Sequence, residues 1–137
     1  MSQKLRILLI EDNFIEIMKM KRSIEFLGLE HQVQEAKNGE EALEILHNKS
    51  TYPDIILLDL NMPKVSGIDF LTIIKNNESL RHIPVIVLTT SNNHKDLFEC
   101  YKLGISGYML KPLKYEDYTS KIEKLLTYWS VNELITY

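Results

Sequence analysis

The stretch "DIILLDLNMPKVSG", residues 54–67, decides how the rest of the chain is read. Ile55, Ile56, Leu57 and Leu58 form an apolar run without polar alternation, which is the pattern of a strand buried on both faces. Asp59 follows at once, then Leu60, Asn61, Met62, Pro63 and, after a short loop, Gly67. Burying a carboxylate is costly unless something pairs with it. A chain that ends its most apolar strand on Asp59 therefore needs a partner, or a task, for that group.

Outward from this stretch the same pattern recurs. "RILLI" (6–10) and "VIVLT" (85–89) are equally apolar, and "HQVQEA" (31–36) and "GYMLK" (107–111) are weaker strand candidates. Helical periodicity fills the intervals. Ile17, Met20, Ile24 and Leu27 recur at 3-4-3 spacing within 13–27, and Gly28 stands where a helix-ending glycine belongs. Asn38 precedes a helix as its N-cap, with Glu41 three residues on in a variant of the capping box. Helices are also expected over 67–76, over 93–103 with Gly104 as its stop, and over 114–129 on Tyr118, Ile122, Leu125 and Trp129. The alternation predicts five parallel strands in a doubly wound α/β sheet with helices on both faces.

The totals narrow the classes. A chain of 137 residues is one domain's worth, and 45% apolar with 26% charged residues is the composition of a globular protein. No apolar run approaches the ~20 residues of a membrane span, and the N-terminus is too polar and acidic for a secretory signal. A net charge of −3 with scattered basic residues does not suggest nucleic acid as a partner. The single Cys100 leaves no internal disulfide and no cysteine-based zinc site. The cytoplasm is the expected compartment. His31, His47, His82 and His94 lack ligand spacing and are assigned to surface or loops, and Cys100 to the core on the stripe of Leu97.

A doubly wound sheet binds its ligand at the C-terminal edge of its strands. Glu11 and Asp12 end the first strand, Asp59 the third, Thr89 the fourth and Lys111 the fifth. Three carboxylates on one rim repel each other, and a divalent cation relieves that repulsion. Mg²⁺ is typically held by one or two carboxylates, a carbonyl, waters and a phosphate oxygen. Lys111 supplies a compact charge for a phosphate oxygen, and Thr89 a hydroxyl. Aspartate is a known phosphoryl acceptor, and phosphoryl transfer needs mainly positioning and charge neutralisation. Taken singly, Asp59 equally fits a turn cap, Glu11–Asp12 a helix cap and Lys111 a solvated lysine; taken together they fit one chemistry. Gly67 is assigned to easing the backbone at a helix start.

The set "IED" (10–12), "LLDLNMP" (57–63), "LTTS" (88–91) and "GYMLKP" (107–112) resembles the receiver domain of two-component response regulators, over residues 4–129. "VLTTSNN" and Trp129 make it most similar to stand-alone regulators of the phytochrome-associated type. The resemblance implies a flavodoxin-like sheet of strand order 2-1-3-4-5. It implies Asp59 as phosphoacceptor, and Mg²⁺ on Glu11, Asp12, Asp59 and the backbone carbonyl of Asn61. Lys111 would bind the phosphoryl group, with a cis Lys111–Pro112 bond, and Thr89 and Tyr108 would form a switch pair. A packing role for Tyr108 stands beside that one. Glu11 replaces the more usual Asp, and Thr90 the frequent Ala. Residues 130–137 are expected to form a short tail with no output domain.

The implied partner is a histidine kinase or histidine phosphotransfer protein. Ile15, Met18, Arg22 and Phe26 share a face of the first helix apart from its core stripe. Phe26 is expected under the last helix, and Ile15 and Met18, beside the acidic rim, at a docking surface. Residues 93–129 carry mixed charges suited to a homodimer. Two other classes fit less well. An aspartate-nucleophile phosphatase needs an acid two residues after the nucleophile, where Asn61 stands. A flavin module needs a phosphate loop where "EDNFIE" offers acids. A receiver lacking the chemistry is disfavoured because every chemical position is filled.

Overall fold

The run Ile55–Leu58 is the middle strand of a five-stranded sheet in the computed structural model, which describes residues 3–62 and 65–137. Pro63 of the quoted motif lies outside the described residues. Strands β1 (Arg6–Ile10), β2 (Gln32–Ala36), β3 (Ile55–Leu58), β4 (Val85–Thr89) and β5 (Gly107–Leu110) alternate with helices α1 (Phe14–Phe26), α2 (Gly39–Ile45), α3 (Gly67–Lys75), α4 (His94–Leu103) and α5 (Tyr115–Ser130). All strand pairs are parallel, in the order β2-β1-β3-β4-β5. The expected fold class and strand order are therefore those observed.

Strand geometry sends successive side chains to opposite faces. Leu8, Ile10, Ile56, Leu58, Val85 and Val87 join Phe70, Leu71 and Ile74 of α3 and Cys100 of α4. Ile7, Leu9, Ile55, Leu57, Ile86 and Leu88 join Ile17, Met20 and Ile24 of α1 and Tyr118, Ile122, Leu125 and Leu126 of α5. The three central strands are buried on both sides, which is why they lack polar alternation. The two weaker candidates, β2 and β5, are the edges, and their burial is partial.

Helix ends follow from side-chain caps. Asn13 accepts from the Ile15 amide at 2.9 Å and Asn38 from the Glu41 amide at 2.8 Å. Glu41 in turn accepts from the Lys37 amide at 3.2 Å, one residue further back than a capping box places it. Gly28 (φ 69°) and Gly104 (φ 97°) adopt the left-handed conformation that ends α1 and α4.

Three expectations need correction. Phe26 does not pack under the last helix and is 81% exposed. The α1–α5 seam instead runs through Ser23 and Thr119, whose buried hydroxyls meet at 3.0 Å. The Lys111–Pro112 bond is trans, the isomer a free X–Pro bond prefers by about 0.5–1 kcal/mol. Gly67 relieves no backbone strain. A Cβ there would lie 2.6 Å from Leu60 Cα and 2.8 Å from the Asp59 carbonyl oxygen, so its smallness lets α3 approach the end of β3. Tyr137 packs edge-on against Tyr52 with ring centroids 5.0 Å apart and hydrogen-bonds His82, across the edge of the sheet opposite the acidic rim.

Candidate functional site

The strand register builds the site. Ile10 pairs with Leu58, so the next residues, Glu11 and Asp59, emerge side by side at the C-terminal edge. The Asp59 amide still donates to the Ile10 carbonyl at 3.1 Å, which holds its backbone in the ladder. Leu110 pairs with Thr89, and the Lys111 amide donates to the Thr89 carbonyl at 2.8 Å, so Lys111 arrives on the same edge. Because Asn13 caps α1, neither Glu11 nor Asp12 is consumed as an N-cap.

Glu11, Asp12 and Asp59 each offer a carboxylate oxygen within 4.8 Å of the others. Glu11 and Asp59 are buried and Asp12 is exposed, so the cluster opens to solvent on one side. The Asn61 amide donates to Asp59 Oδ1 at 3.3 Å. Lys111 Nζ donates to Glu11 Oε1 at 2.6 Å, with the lysine side chain 7% exposed. Glu11 Oε2 accepts from the Asn13 amide at 3.2 Å. Burial pushes the Glu11 carboxyl up to about 7, Lys111 pulls it down, and the Asp59 charge adds to the rise.

This donor set fits a hard divalent cation. An oxygen-only donor set suits Mg²⁺, and like charges this close are poorly accommodated without a counter-charge. Glu11, Asp12 and Asp59 are the side chains that could hold the ion.

Thr89 is fully buried at the end of β4. Its Oγ1 accepts from the Ser91 amide at 3.2 Å, while the Tyr108 hydroxyl donates to the Ser91 carbonyl at 2.8 Å. Both residues of the expected switch pair thus engage the same residue. The Ser91 hydroxyl also donates to Asp96 in the first turn of α4 at 3.1 Å. Ile15 and Met18 line a groove of about 350 Å³ with Lys19, Arg22 and Tyr115, between α1 and the start of α5. Leu113, 99% exposed, stands in the β5–α5 connection.

Sequence reasoning missed Glu16 on the first turn of α1. Its Oε2 lies 3.8 Å from Lys111 Nζ and 3.6 Å from Lys19 Nζ. No strand-end rule points to it, because it enters the rim from a helix.

The fold and this rim define a doubly wound α/β protein with a cation-type acidic site at the edge of its sheet. Residues 7–123 match the model of the response regulator receiver domain. The probable methanogenesis regulatory protein FilR2 of Methanothrix harundinacea is 39% identical over 127 residues, covering 90% of this chain and 82% of that protein. The phosphorylated cyanobacterial phytochrome response regulator RcpA superposes with a TM-score of 0.90 at 31% identity, over 98% of this chain and 100% of that one. The Mn(2+)-bound form of response regulator Rcp1 superposes with a TM-score of 0.86 at 30% identity, over 96% and 99%. The chain belongs to the response-regulator receiver family of two-component signalling, and it is similar to regulators of the phytochrome-associated type. No helix among the described residues is long and apolar enough to cross a membrane.

Proposed function

We propose that the chain accepts a phosphoryl group on Asp59 from a phosphohistidine of a sensor kinase or phosphotransfer protein, and passes the signal by changing a protein-binding face. The convergence of Asp59, Glu11 and Asp12 within 4.8 Å, with Lys111 in the same cluster, carries this reading. An Asp59 carboxylate oxygen attacks phosphorus. The new P–O bond forms as the P–N bond breaks, and the electron pair leaves with the imidazole, which takes a proton. Glu11, Asp12, Asp59 and the Asn61 backbone carbonyl would hold Mg²⁺, which would supply charge neutralisation for the transfer. Lys111 supports the phosphoryl oxygens. The only chemistry assigned is the protein's own phosphotransfer and slow self-dephosphorylation, in the cytoplasm.

The output reading rests on Thr89, Tyr108 and their shared neighbour. The Thr89 hydroxyl turns to the phosphoryl oxygens and leaves the Ser91 amide, and Tyr108, held on the Ser91 carbonyl, follows the loop. The face so altered is α4-β5-α5, residues 93–129, where Phe98, Tyr101 and Leu110 are exposed among charged residues. A second copy of the chain fits this face. The donor's helix fits the groove of Ile15 and Met18.

Intact mass after treatment with acetyl phosphate and Mg²⁺ tests the acceptor. The wild type should gain one phosphoryl group and Asp59→Asn none. Undiminished uptake by Asp59→Asn would refute the assignment.

A further inference from the structure

Glu11 has a conflict of duties. Its Oε1 takes the Lys111 ammonium at 2.6 Å and its Oε2 the Asn13 amide at 3.2 Å. A divalent cation at Glu11 competes with Lys111 for the charge of the same carboxylate. The cation also repels the Lys111 ammonium beside it. Lys111 is nearly buried, and a buried ammonium left without a partner is strongly destabilising. A second acceptor within reach is therefore needed whenever Glu11 turns to the ion.

Glu16 is that acceptor by position. Its Oε2 is the one buried side-chain oxygen among the described residues with no hydrogen-bond partner. It lies 3.8 Å from Lys111 Nζ. Closing that gap to a charge-assisted hydrogen bond takes about 1 Å. Glu11, Glu16, Asp59, Lys111 and Tyr118 border one cavity of about 10 Å³, so both glutamates share a space with the ammonium. The other cation near Glu16 does not depend on it: Lys19 Nζ, 3.6 Å from Glu16, also sits 4.5 Å from the centroid of the Tyr118 ring.

We propose that Glu16 is a positioning residue which takes the Lys111 ammonium when Glu11 turns to a divalent cation, so that metal binding does not strand a buried charge. The proposal builds on the assignment of Glu11, Asp12 and Asp59 to the metal. It predicts that Glu16 acts on the metal through Lys111, and not merely as one more negative charge.

The test is a double-mutant cycle read by titration calorimetry with Mg²⁺ on the unphosphorylated full chain, each variant's fold being checked by circular dichroism. Glu16→Gln should weaken Mg²⁺ binding about tenfold, the range for loss of an outer-shell partner. Lys111→Met should strengthen it, because Glu11 is released. In the Lys111→Met background, Glu16→Gln should change the affinity by less than about twofold, since the coupled partner is gone. Equal losses in both backgrounds would reduce Glu16 to a general charge effect and overturn the proposal, as would no loss in the wild-type background. If Glu16→Gln does not fold, Glu16→Ala gives the same comparison. Wild type that binds no Mg²⁺ would remove the metal assignment and this proposal with it, and would be distinguishable from failure of Asp59 as acceptor, which is read separately by mass.

Discussion

Gly67 and Asp59 are bound together at the scale of single residues. Gly67 opens α3 with its amide donating to the Leu60 carbonyl at 3.2 Å, and a Cβ there would fall at 2.6 Å from Leu60 Cα. Both atoms are backbone, so neither can swing aside. Gly67→Ala must separate α3 from the end of β3 or shift Asp59. It should cost about 1–3 kcal/mol, the usual range for overpacking, measured by urea denaturation. It should also slow phosphorylation by acetyl phosphate. A variant with unchanged stability and rate would mean that α3 yields freely. The requirement for glycine was visible in the sequence, but its reason was not. A helix-start glycine normally answers to its own φ, whereas this one answers to a strand end brought against it by the fold.

Helix α4 buries little of its apolar surface. Among its residues Cys100 is fully buried, while Phe98 and Tyr101 stand exposed. Burial is the main cause that pushes the Cys100 thiol up to about 11, and the charges of Asp96 and Glu99 add to it. A thiol raised from 9.0 in this way favours folding below pH 9 and loses that contribution as pH rises through 11. At pH 8 the native protein should therefore resist a disulfide reagent for as long as it stays folded, and react with one equivalent after unfolding. Fast reaction in the native state would mean that α4 opens locally. The periodicity of Cys100 with Leu97 correctly assigned it to the core. The outward Phe98 and Tyr101 have no such reading in sequence, because a helix that exposes aromatics differs from one that buries them only in what lies opposite.

At the scale of the whole molecule, the acidic rim and the α4-β5-α5 face are joined through Ser91, which touches Thr89, Tyr108 and Asp96. Under the proposed switch, beryllofluoride should shift the wild type toward dimer in sedimentation velocity. Thr89→Ala should lose that shift. An unchanged monomer–dimer balance in the wild type would refute the link between phosphorylation and dimerisation. A shift retained in full by Thr89→Ala would keep the dimer and acquit Thr89.

The strand–helix alternation, the burial of the three central strands and the gathering of Glu11, Asp12, Asp59, Thr89 and Lys111 on one edge were all legible in the sequence. The reason is physical: parallel strands buried on both faces cannot alternate, and a strand can end on charge only where its edge meets water. What only the tertiary structure decided depends on distances between segments remote in the chain. Lys111 sits on Glu11 across a separation of 100 residues, Glu16 waits beside them from α1, Ser91 links Thr89 to Tyr108, and Phe26 faces solvent because Ser23 and Thr119 take the α1–α5 seam. Periodicity specifies which face of an element turns inward, but not which of its neighbours comes within hydrogen-bond reach.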